Sequence, residues 1–206
     1  MNNSNFEVVT LLQIKKFIAN NSEEDIYNKF LLGKEVWYFQ EYIKNEDPLL
    51  FYDKFKKLIS SQLNIRFNNI SIIGSAKTNY SFSPKNNFRQ FNLNSDFDII
   101  LVSPDLFTRF WSAFHEISNN QRIPSYTRLT SNIFRKFISI KEDDSHYNNE
   151  SLMDWQRKLA GFRTELQLEY KIYNDVNYRI YYSWEDVENY HLRGIKKLKE
   201  NINETH

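Results

Sequence analysis

The chain has 206 residues, of which 41% are hydrophobic and 17% aromatic, and this composition excludes a disordered protein and predicts one sizeable core. A formal net charge of +1 excludes a protein that coats nucleic acid through bulk charge, although it is compatible with a local basic groove. The absence of cysteine excludes disulfides, thiolate zinc sites and a cysteine nucleophile.

Helices dominate the predicted N-terminal part of the chain. Apolar residues at helical spacing predict helices over residues 7–45, within a helical extension at residues 1–46. Asp47 and Pro48 form the N-cap and first position of a further helix, which opens the core part of the same domain at residues 47–206. The further predictions are a strand at 70–74, an irregular segment at 75–95, a strand at 96–102, helices at 105–117, near 125–140 and near 151–172, a strand at 176–182 and a last helix that begins after Ser183 and ends in the basic run Lys196–Lys199.

The N-terminal residues lack the basic and apolar regions of a signal peptide, and no apolar run reaches the length of a membrane span. We therefore expect a cytoplasmic protein without membrane insertion.

Two aspartates open the strand predicted at 96–102. Because strand side chains alternate between faces, Asp96 and Asp98 project on the same side, roughly 7 Å apart, while Phe97 points into the core. Two such carboxylates repel each other unless a cation lies between them, and hard oxygen ligands suit Mg²⁺. The ordinary alternatives are a solvated acidic strand end and a pair neutralised by a nearby arginine.

The preceding strand ends at Gly74 and Ser75, and this order over residues 70–103 (strand, Gly-Ser turn, connecting segment, Ser-Asp-Phe-Asp, strand) resembles the nucleotidyltransferase superfamily typified by DNA polymerase β. The resemblance implies an α+β nucleotidyltransferase fold with a small mixed sheet packed by helices. It implies Mg²⁺-dependent or Mn²⁺-dependent transfer of a nucleoside monophosphate from an NTP or dNTP to an acceptor hydroxyl of a protein, a small molecule or a growing oligonucleotide. By analogy, the size of the chain favours a role in bacterial antiphage defence or in a toxin–antitoxin pair, with a cognate defence or toxin protein as partner.

The resemblance also assigns roles to individual residues. Asp96 and Asp98 would be the catalytic, metal-binding pair, and Gly74 with Ser75 would cradle the β- and γ-phosphates. Loop cations beside this turn would neutralise triphosphate charge, although exposed loop cations are usually only solvated. Tyr80, Phe82 or Phe88 would stack on a base, with core packing as their ordinary alternative. The predicted nucleotide-binding residues are Gly74, Ser75, Lys77, Lys85, Arg89, Ser95 and Arg179.

The chain departs from the family pattern at the strand predicted over 176–182. Active members carry a third metal-binding carboxylate on the strand beside the aspartate pair, whereas this strand places Asn177, Arg179 and Tyr181 on one face. Arg179 would either grip phosphate or form an ion pair with the aspartates and displace the metal. Glu165, Glu169 and Asp175 are the open alternatives for the missing acid.

A different class of function follows if the aspartates are neutralised. The chain would then be a catalytically inactive nucleotidyltransferase-fold module that binds a nucleotide or a cognate partner protein. A weaker hypothesis is a nucleic-acid end modifier that uses the basic last helix (Arg193, Lys196, Lys197 and Lys199), with nucleic acid only as acceptor or product. The histidines His115, His146, His191 and His206 show no metal-ligand spacing, and His191 is expected to be structural.

Overall fold

A computed structural model describes residues 10–120, 122–144 and 147–204. Within these residues four strands, β1 (Ile70–Ile73), β2 (Phe97–Val102), β3 (Phe137–Ser139) and β4 (Val176–Tyr181), form one mixed sheet in the order β1-β2-β4-β3. β2 pairs antiparallel with β1 and parallel with β4, and β3 pairs antiparallel with β4 at the edge. The chain is therefore α+β, with a small mixed sheet packed by helices.

The α-helices surround this sheet. They are α1 (Leu11–Asn20), α2 (Glu23–Tyr27), α3 (Pro48–Leu63), α4 (Ser75–Thr78), α5 (Pro104–Asn120), α6 (Tyr126–Phe134), α7 (Glu150–Gly161), α8 (Arg163–Tyr170) and α9 (Trp184–Glu204). Two π-helical turns, Asn28–Leu32 and Tyr38–Tyr42, and a 3-10 turn at Phe67–Asn69 complete the described elements. None of the described helices is both long and apolar enough to cross a membrane.

The two faces of the sheet carry different side chains. Phe97 and Ile99 of β2 and Tyr178 of β4 point into the main core, which α3, α5, α7 and α8 cover. The opposite face carries a smaller cluster that includes Ile100, Val102 and Tyr181 and packs against the first turns of α9. Because side chains alternate along β2, this second face also carries Asp96 and Asp98. The predicted division of these residues between the core and a polar face is confirmed.

The predicted N-terminal extension contributes to two separate clusters. Helices α1 and α2 and the first π-helical turn pack against the second half of α9 and against Phe82 and Phe88. Val36, Tyr38 and Phe39 instead belong to the main core, and the Tyr38 hydroxyl donates to the carbonyl of Lys171 at 2.7 Å. The first residues of the segment 7–45, over which helices are predicted, lie outside the described part of the chain.

Helix prediction was wrong at several places. The short helix α4 lies in the segment predicted as irregular, and α9 continues to Glu204, past its predicted end. The helix predicted near 125–140 ends at Phe134, and Phe137–Ser139 forms the edge strand β3, because Lys136 adopts a left-handed backbone (φ 66°) that ends the helix. The helix predicted near 151–172 divides into α7 and α8 at Phe162 and ends before Lys171, which is also left-handed (φ 54°). No glycine or proline marks the break at Lys136, so the usual turn signal is missing there, whereas Gly161 directly precedes the break at Phe162 and is a signal that the prediction passed over.

Capping explains why the correctly predicted helices begin where they do. The Asp47 carboxylate accepts from the Leu50 amide at 3.0 Å at the start of α3, and Pro48 occupies the first helical position. The Ser183 hydroxyl likewise accepts from the Asp186 amide at 3.1 Å at the start of α9. These local hydrogen bonds satisfy amides that have no partner within the helix.

Truncation of Phe97, which is fully buried at the centre of the main core, should destabilise the protein strongly. We expect Phe97→Ala to lower the free energy of unfolding by about 3–5 kcal/mol, because the lost burial is accompanied by a cavity. Urea denaturation measures this change, and Leu168→Ala, at an exposed position of α8, should change stability by less than about 0.5 kcal/mol. Equal effects of the two substitutions would contradict the assigned core.

Candidate functional site

Strand pairing brings the Gly-Ser turn beside the aspartate pair. Ile73, the last residue of β1, pairs with Asp98, and Asp98 pairs with Asn177 of β4. Gly74 follows directly, and its φ of 72° and ψ of −158° form a conformation that is essentially restricted to glycine. A Cβ atom on Gly74 would lie 2.9 Å from Oδ2 of Asp98, so this glycine also allows the close approach of the carboxylate.

Asp98 is paired with an arginine from the neighbouring strand. Its Oδ1 accepts from Arg179 Nη2 at 2.9 Å and from Asn177 Nδ2 at 3.3 Å. The side chains of Arg179 and Asp98 are only 22% and 15% exposed, so the ion pair is poorly screened by solvent. Although burial disfavours the guanidinium charge, the Asp98 carboxylate holds the pKa of Arg179 above its ordinary value. Of the two roles left open for Arg179, the structure shows the ion pair, and it joins Arg179 to Asp98 alone.

Asp96 is more open than Asp98. Its side chain is 51% exposed, and its Oδ1 lies 3.7 Å from Lys141 Nζ. The same ammonium lies 3.8 Å from Oδ2 of Asp175, so Lys141 lies within ion-pair distance of both acids at the start of β2 and β4. These long, solvent-exposed contacts hold Asp96 weakly.

A cavity of about 720 Å³ extends over this face of the sheet. Its wall includes the Gly74–Ser75 turn, Asp96, Asp98, Phe82, and residues of α9 such as Asn189 and His191. Among the described residues, seven cationic side chains line it against three acidic ones: Lys85, Arg89, Arg135, Lys136, Arg179, Arg193 and Lys197 against Asp96, Asp98 and Asp186. The cavity is therefore suited to a ligand with several negative charges.

Two predicted nucleotide-binding residues lie away from the cavity wall. Lys77 is buried on α4, where its Nζ donates to the carbonyl of Gly33 at 2.6 Å. The Ser95 hydroxyl accepts from the Asn92 amide at 3.1 Å, and its carbonyl accepts from Asn174 at 2.8 Å. The Lys77 side chain therefore joins α4 to the N-terminal part of the chain, and the Ser95 hydroxyl organises the segment before β2. The other predicted residues, Gly74, Ser75, Lys85, Arg89 and Arg179, line the cavity.

The candidates for a third acid do not join the aspartate pair. α8 packs on the opposite face of the sheet through Leu166 and Tyr170, and Glu165 on this helix accepts from Gln62 of α3. Glu169 is on the same helix, which removes both glutamates from the cavity. Asp175 is linked to Asp96 only indirectly, because Lys141 lies within ion-pair distance of both carboxylates. Within the described residues, no group of three acidic or histidine side chains could hold a metal ion.

The two aspartates alone still match one way of binding Mg²⁺, which often takes one or two protein carboxylates and completes its shell with water and substrate phosphates. Oδ2 of Asp98 faces the Gly74 turn while its Oδ1 carries both hydrogen bonds. Asp96 is half exposed on the same face. These residues fit a metal that arrives with a phosphate ligand better than a permanently bound ion.

His191 and the aromatic candidates have mainly structural roles. Burial, with a smaller contribution from Arg179, lowers the pKa of His191 to about 3, so the imidazole is neutral. Its ring packs between Tyr27 and Tyr190. Phe82 borders the cavity, whereas Phe88 is buried in the N-terminal cluster. His146 and His206 lie outside the described residues.

Sequence reasoning missed the contribution of the turn between α6 and β3. Phe134 at the end of α6 lines the cavity, as do Arg135 and Lys136 in the turn that follows, but the prediction placed all three inside one continuous helix near 125–140. Arg193 and Lys197 were noted only as part of a basic last helix. An arginine-lysine pair directly before a short apolar run was the available signal, and it is too common to identify a site.

No family model, curated protein or solved structure matches this chain. Function is therefore inferred from the residues of the cavity.

Substitution of Gly74 should strain the turn. We expect Gly74→Ala to lower the free energy of unfolding by about 1–3 kcal/mol, because the backbone conformation disfavours a side chain and the new Cβ atom would press on Asp98. Gly194→Ala in α9 is the matched control, since a Cβ atom there meets no atom within 4 Å. Thermal or urea denaturation should show the control unchanged or stabilised by up to about 1 kcal/mol.

Lys77 predicts a pH dependence of stability. Burial, with a smaller contribution from Lys56, lowers the pKa of Lys77 from 10.5 to about 7. Between these values the unfolded chain binds more protons than the folded protein, so this lysine makes the free energy of unfolding rise with pH from about 7 to about 10.

Lys77→Met removes this titration, and the difference in stability between wild type and variant should change in favour of the wild type by up to about 1.4 kcal/mol per pH unit. Urea denaturation at pH 7, 8 and 9 measures the slope, with the exposed Lys57→Met as control. A difference that is independent of pH would show that Lys77 keeps its ordinary protonation in the folded protein.

Proposed function

We propose that the cavity binds a nucleoside triphosphate with Mg²⁺ or Mn²⁺, and that the protein is a DNA polymerase β-like nucleotidyltransferase. The observation that carries this proposal is that one cavity contains the Gly74–Ser75 turn, Asp96 and Asp98, and an excess of cations. Its position also supports the proposal, because β1 ends and β2 begins at the same edge of the sheet. The predicted role in antiphage defence or a toxin–antitoxin pair, the partner protein and the cytoplasmic location stay predictions from the sequence.

The phosphates would lie along the Gly74–Ser75 turn. The absence of a side chain on Gly74 allows a phosphate to approach the backbone, and Ser75 offers a hydroxyl donor. Lys85 and Arg89 line the same cavity and form no ion pair with a described residue, so their charges are available to a triphosphate. Charge-assisted hydrogen bonds from such groups are the strong ones in phosphate recognition.

The aspartates would hold the metal that accompanies the triphosphate. A metal bound there supplies electrostatic stabilisation of charge on the transferred phosphoryl group. For transfer, the Asp98 carboxylate would hold the metal in place of Arg179, whose guanidinium otherwise neutralises the same negative charge. The released guanidinium would then contact a phosphate oxygen, because a buried cation requires a new anionic partner.

The ion pair between Asp98 and Arg179 also supports a second candidate function. If Arg179 stays on Asp98, the protein is a non-catalytic module that binds a nucleotide or a cognate partner protein through the same cavity. The lack of a third acid beside the pair, among the described residues, favours this alternative. Nucleotide binding is common to the enzyme and to a nucleotide-binding module, whereas transfer that depends on the aspartates belongs to the enzyme alone.

The decisive experiment measures binding and transfer with the same protein. We expect isothermal titration calorimetry to detect Mg²⁺-dependent binding of an NTP or dNTP, and α-³²P-labelled nucleotide to yield a labelled product or labelled protein. Asp96→Asn/Asp98→Asn should lower transfer by at least about 100-fold, because the asparagine amides cannot replace charged metal ligands. Lys85→Gln/Arg89→Gln should weaken nucleotide binding by at least about tenfold.

The exposed pair Lys54→Gln/Lys57→Gln on α3 has the same change of charge and should leave both measurements unchanged. Nucleotide binding without transfer, insensitive to Asp96→Asn/Asp98→Asn, would favour the non-catalytic module. Absence of nucleotide binding under every metal condition would refute both the nucleotidyltransferase and the nucleotide-binding module, and would leave only a module that binds a partner protein.

A further inference from the structure

The cavity holds more positive charge than one triphosphate uses. Apart from Arg179, its cations form no ion pair with any residue in the described part of the chain: Lys85, Arg89, Arg135, Lys136, Arg193 and Lys197. The whole chain has a net charge of +1, so this is a local concentration and not a general basic character. Unpaired cations around one cavity repel each other unless an anionic ligand lies among them.

These cations are spread across the sheet. The Gly74 turn extends β1 at the level of Asp98 and Asn177, whereas Lys136 precedes Phe137, which pairs with Tyr181 at the other end of β4. Four residues along a strand and three spacings between strands place the two turns roughly 20 Å apart. A triphosphate is far shorter than this distance, so a ligand held at the Gly74 turn leaves Arg135 and Lys136 without an anion.

An exposed aromatic ring accompanies the second group of cations. Phe134 is 87% exposed and lines the cavity directly before Arg135 and Lys136. An aromatic ring at the edge of a basic groove is the arrangement that single-stranded nucleic acids bind, with phosphates on the cations and a base stacked on the ring. A base stacked on Phe134 would remove apolar surface of the ring from water, which is favourable.

We infer that the acceptor is the end of a single-stranded nucleic acid, which enters along Phe134, Arg135 and Lys136 and presents its terminal hydroxyl near Asp96 and Asp98. This inference rests on the proposed function. In the step, the hydroxyl oxygen forms a bond to the α-phosphorus of the NTP, the bond from that phosphorus to the bridging oxygen breaks, and pyrophosphate leaves. The hydroxyl proton passes to water at the half-exposed Asp96.

The chemistry of the cavity distinguishes this acceptor from others. An uncharged small molecule would not require the cations at the Arg135 turn. An acidic peptide would pair with these cations, but it has no nucleobase to stack on the ring of Phe134. A duplex keeps its bases stacked internally, so it offers no free base face to the ring. A single strand has phosphates that can pair with the cations and unstacked bases that can stack on Phe134.

The test is fluorescence anisotropy with a 5′-labelled 12-nucleotide single-stranded RNA or DNA of mixed sequence, measured at several salt concentrations. We expect the wild type to bind, with an affinity that falls as salt rises. Arg135→Gln/Lys136→Gln should weaken binding by at least about tenfold and reduce the slope of log affinity against log salt by about 1.4, since each lost phosphate contact contributes about 0.7 for a single strand. Phe134→Ala should weaken binding about tenfold and leave the salt slope unchanged, because stacking involves no ion release.

Lys54→Gln/Lys57→Gln is the matched control and should bind the oligonucleotide as the wild type does. Calorimetry of the same variants with NTP separates the two proposals, because Arg135→Gln/Lys136→Gln should keep nucleotide binding. NTP binding without oligonucleotide binding would overturn this inference and leave the proposed function intact. Equal loss in the control variant, equal affinity for a blunt duplex, or full competition by poly-glutamate would also overturn it.

Discussion

The position of β2 between β1 and β4 determines where the charges of this protein lie. The register that pairs Ile73 with Asp98, and Asp98 with Asn177, sets a glycine turn, a carboxylate and an amide side by side at one edge of the sheet. Because strand side chains alternate, a shift of one residue in β2 would turn Asp98 into the core and Phe97 into the cavity. Burial of Phe97 and Ile99 therefore enforces the placement of the aspartates.

The charged side chains on the cavity face of the sheet form two groups, a buried ion pair and a set of cations that pair with no described residue. Arg179 Nη2 and Asp98 Oδ1 lie 2.9 Å apart at a position with little access to solvent. Each charge there needs an opposite charge beside it, because an unpaired buried charge is strongly unfavourable. The other cations stand around an open cavity, where water screens them until a ligand arrives. Among the described residues, the site therefore contains one buried ion pair, and the unpaired cations lie around the edge of the cavity.

The last helix joins this site to the N-terminal part of the chain. Val187 at its start packs beneath the sheet, whereas Ile195, Leu198 and Ile202 pack against α1 and α2. Arg193 and Lys197 project from the same helix into the cavity. A second link runs from the buried ammonium of Lys77, beside the Gly74 turn, to the carbonyl of Gly33. The N-terminal helices therefore support both the helix that lines the cavity and the turn that would hold phosphate.

Features that depend on local chemistry could be predicted from neighbouring residues alone. Helical caps at Asp47 and Ser183, alternation along 96–102, and the glycine turn at 74 are properties of neighbouring residues, and each lies where it was predicted. Contacts between groups that are distant in the sequence depend instead on how the whole chain packs. This packing paired Arg179 with Asp98, removed Lys77 and Ser95 from the cavity, and made an edge strand of Phe137–Ser139. These outcomes depend on strand order and on left-handed backbone at ordinary residues such as Lys136, which only the packing of the whole chain selects.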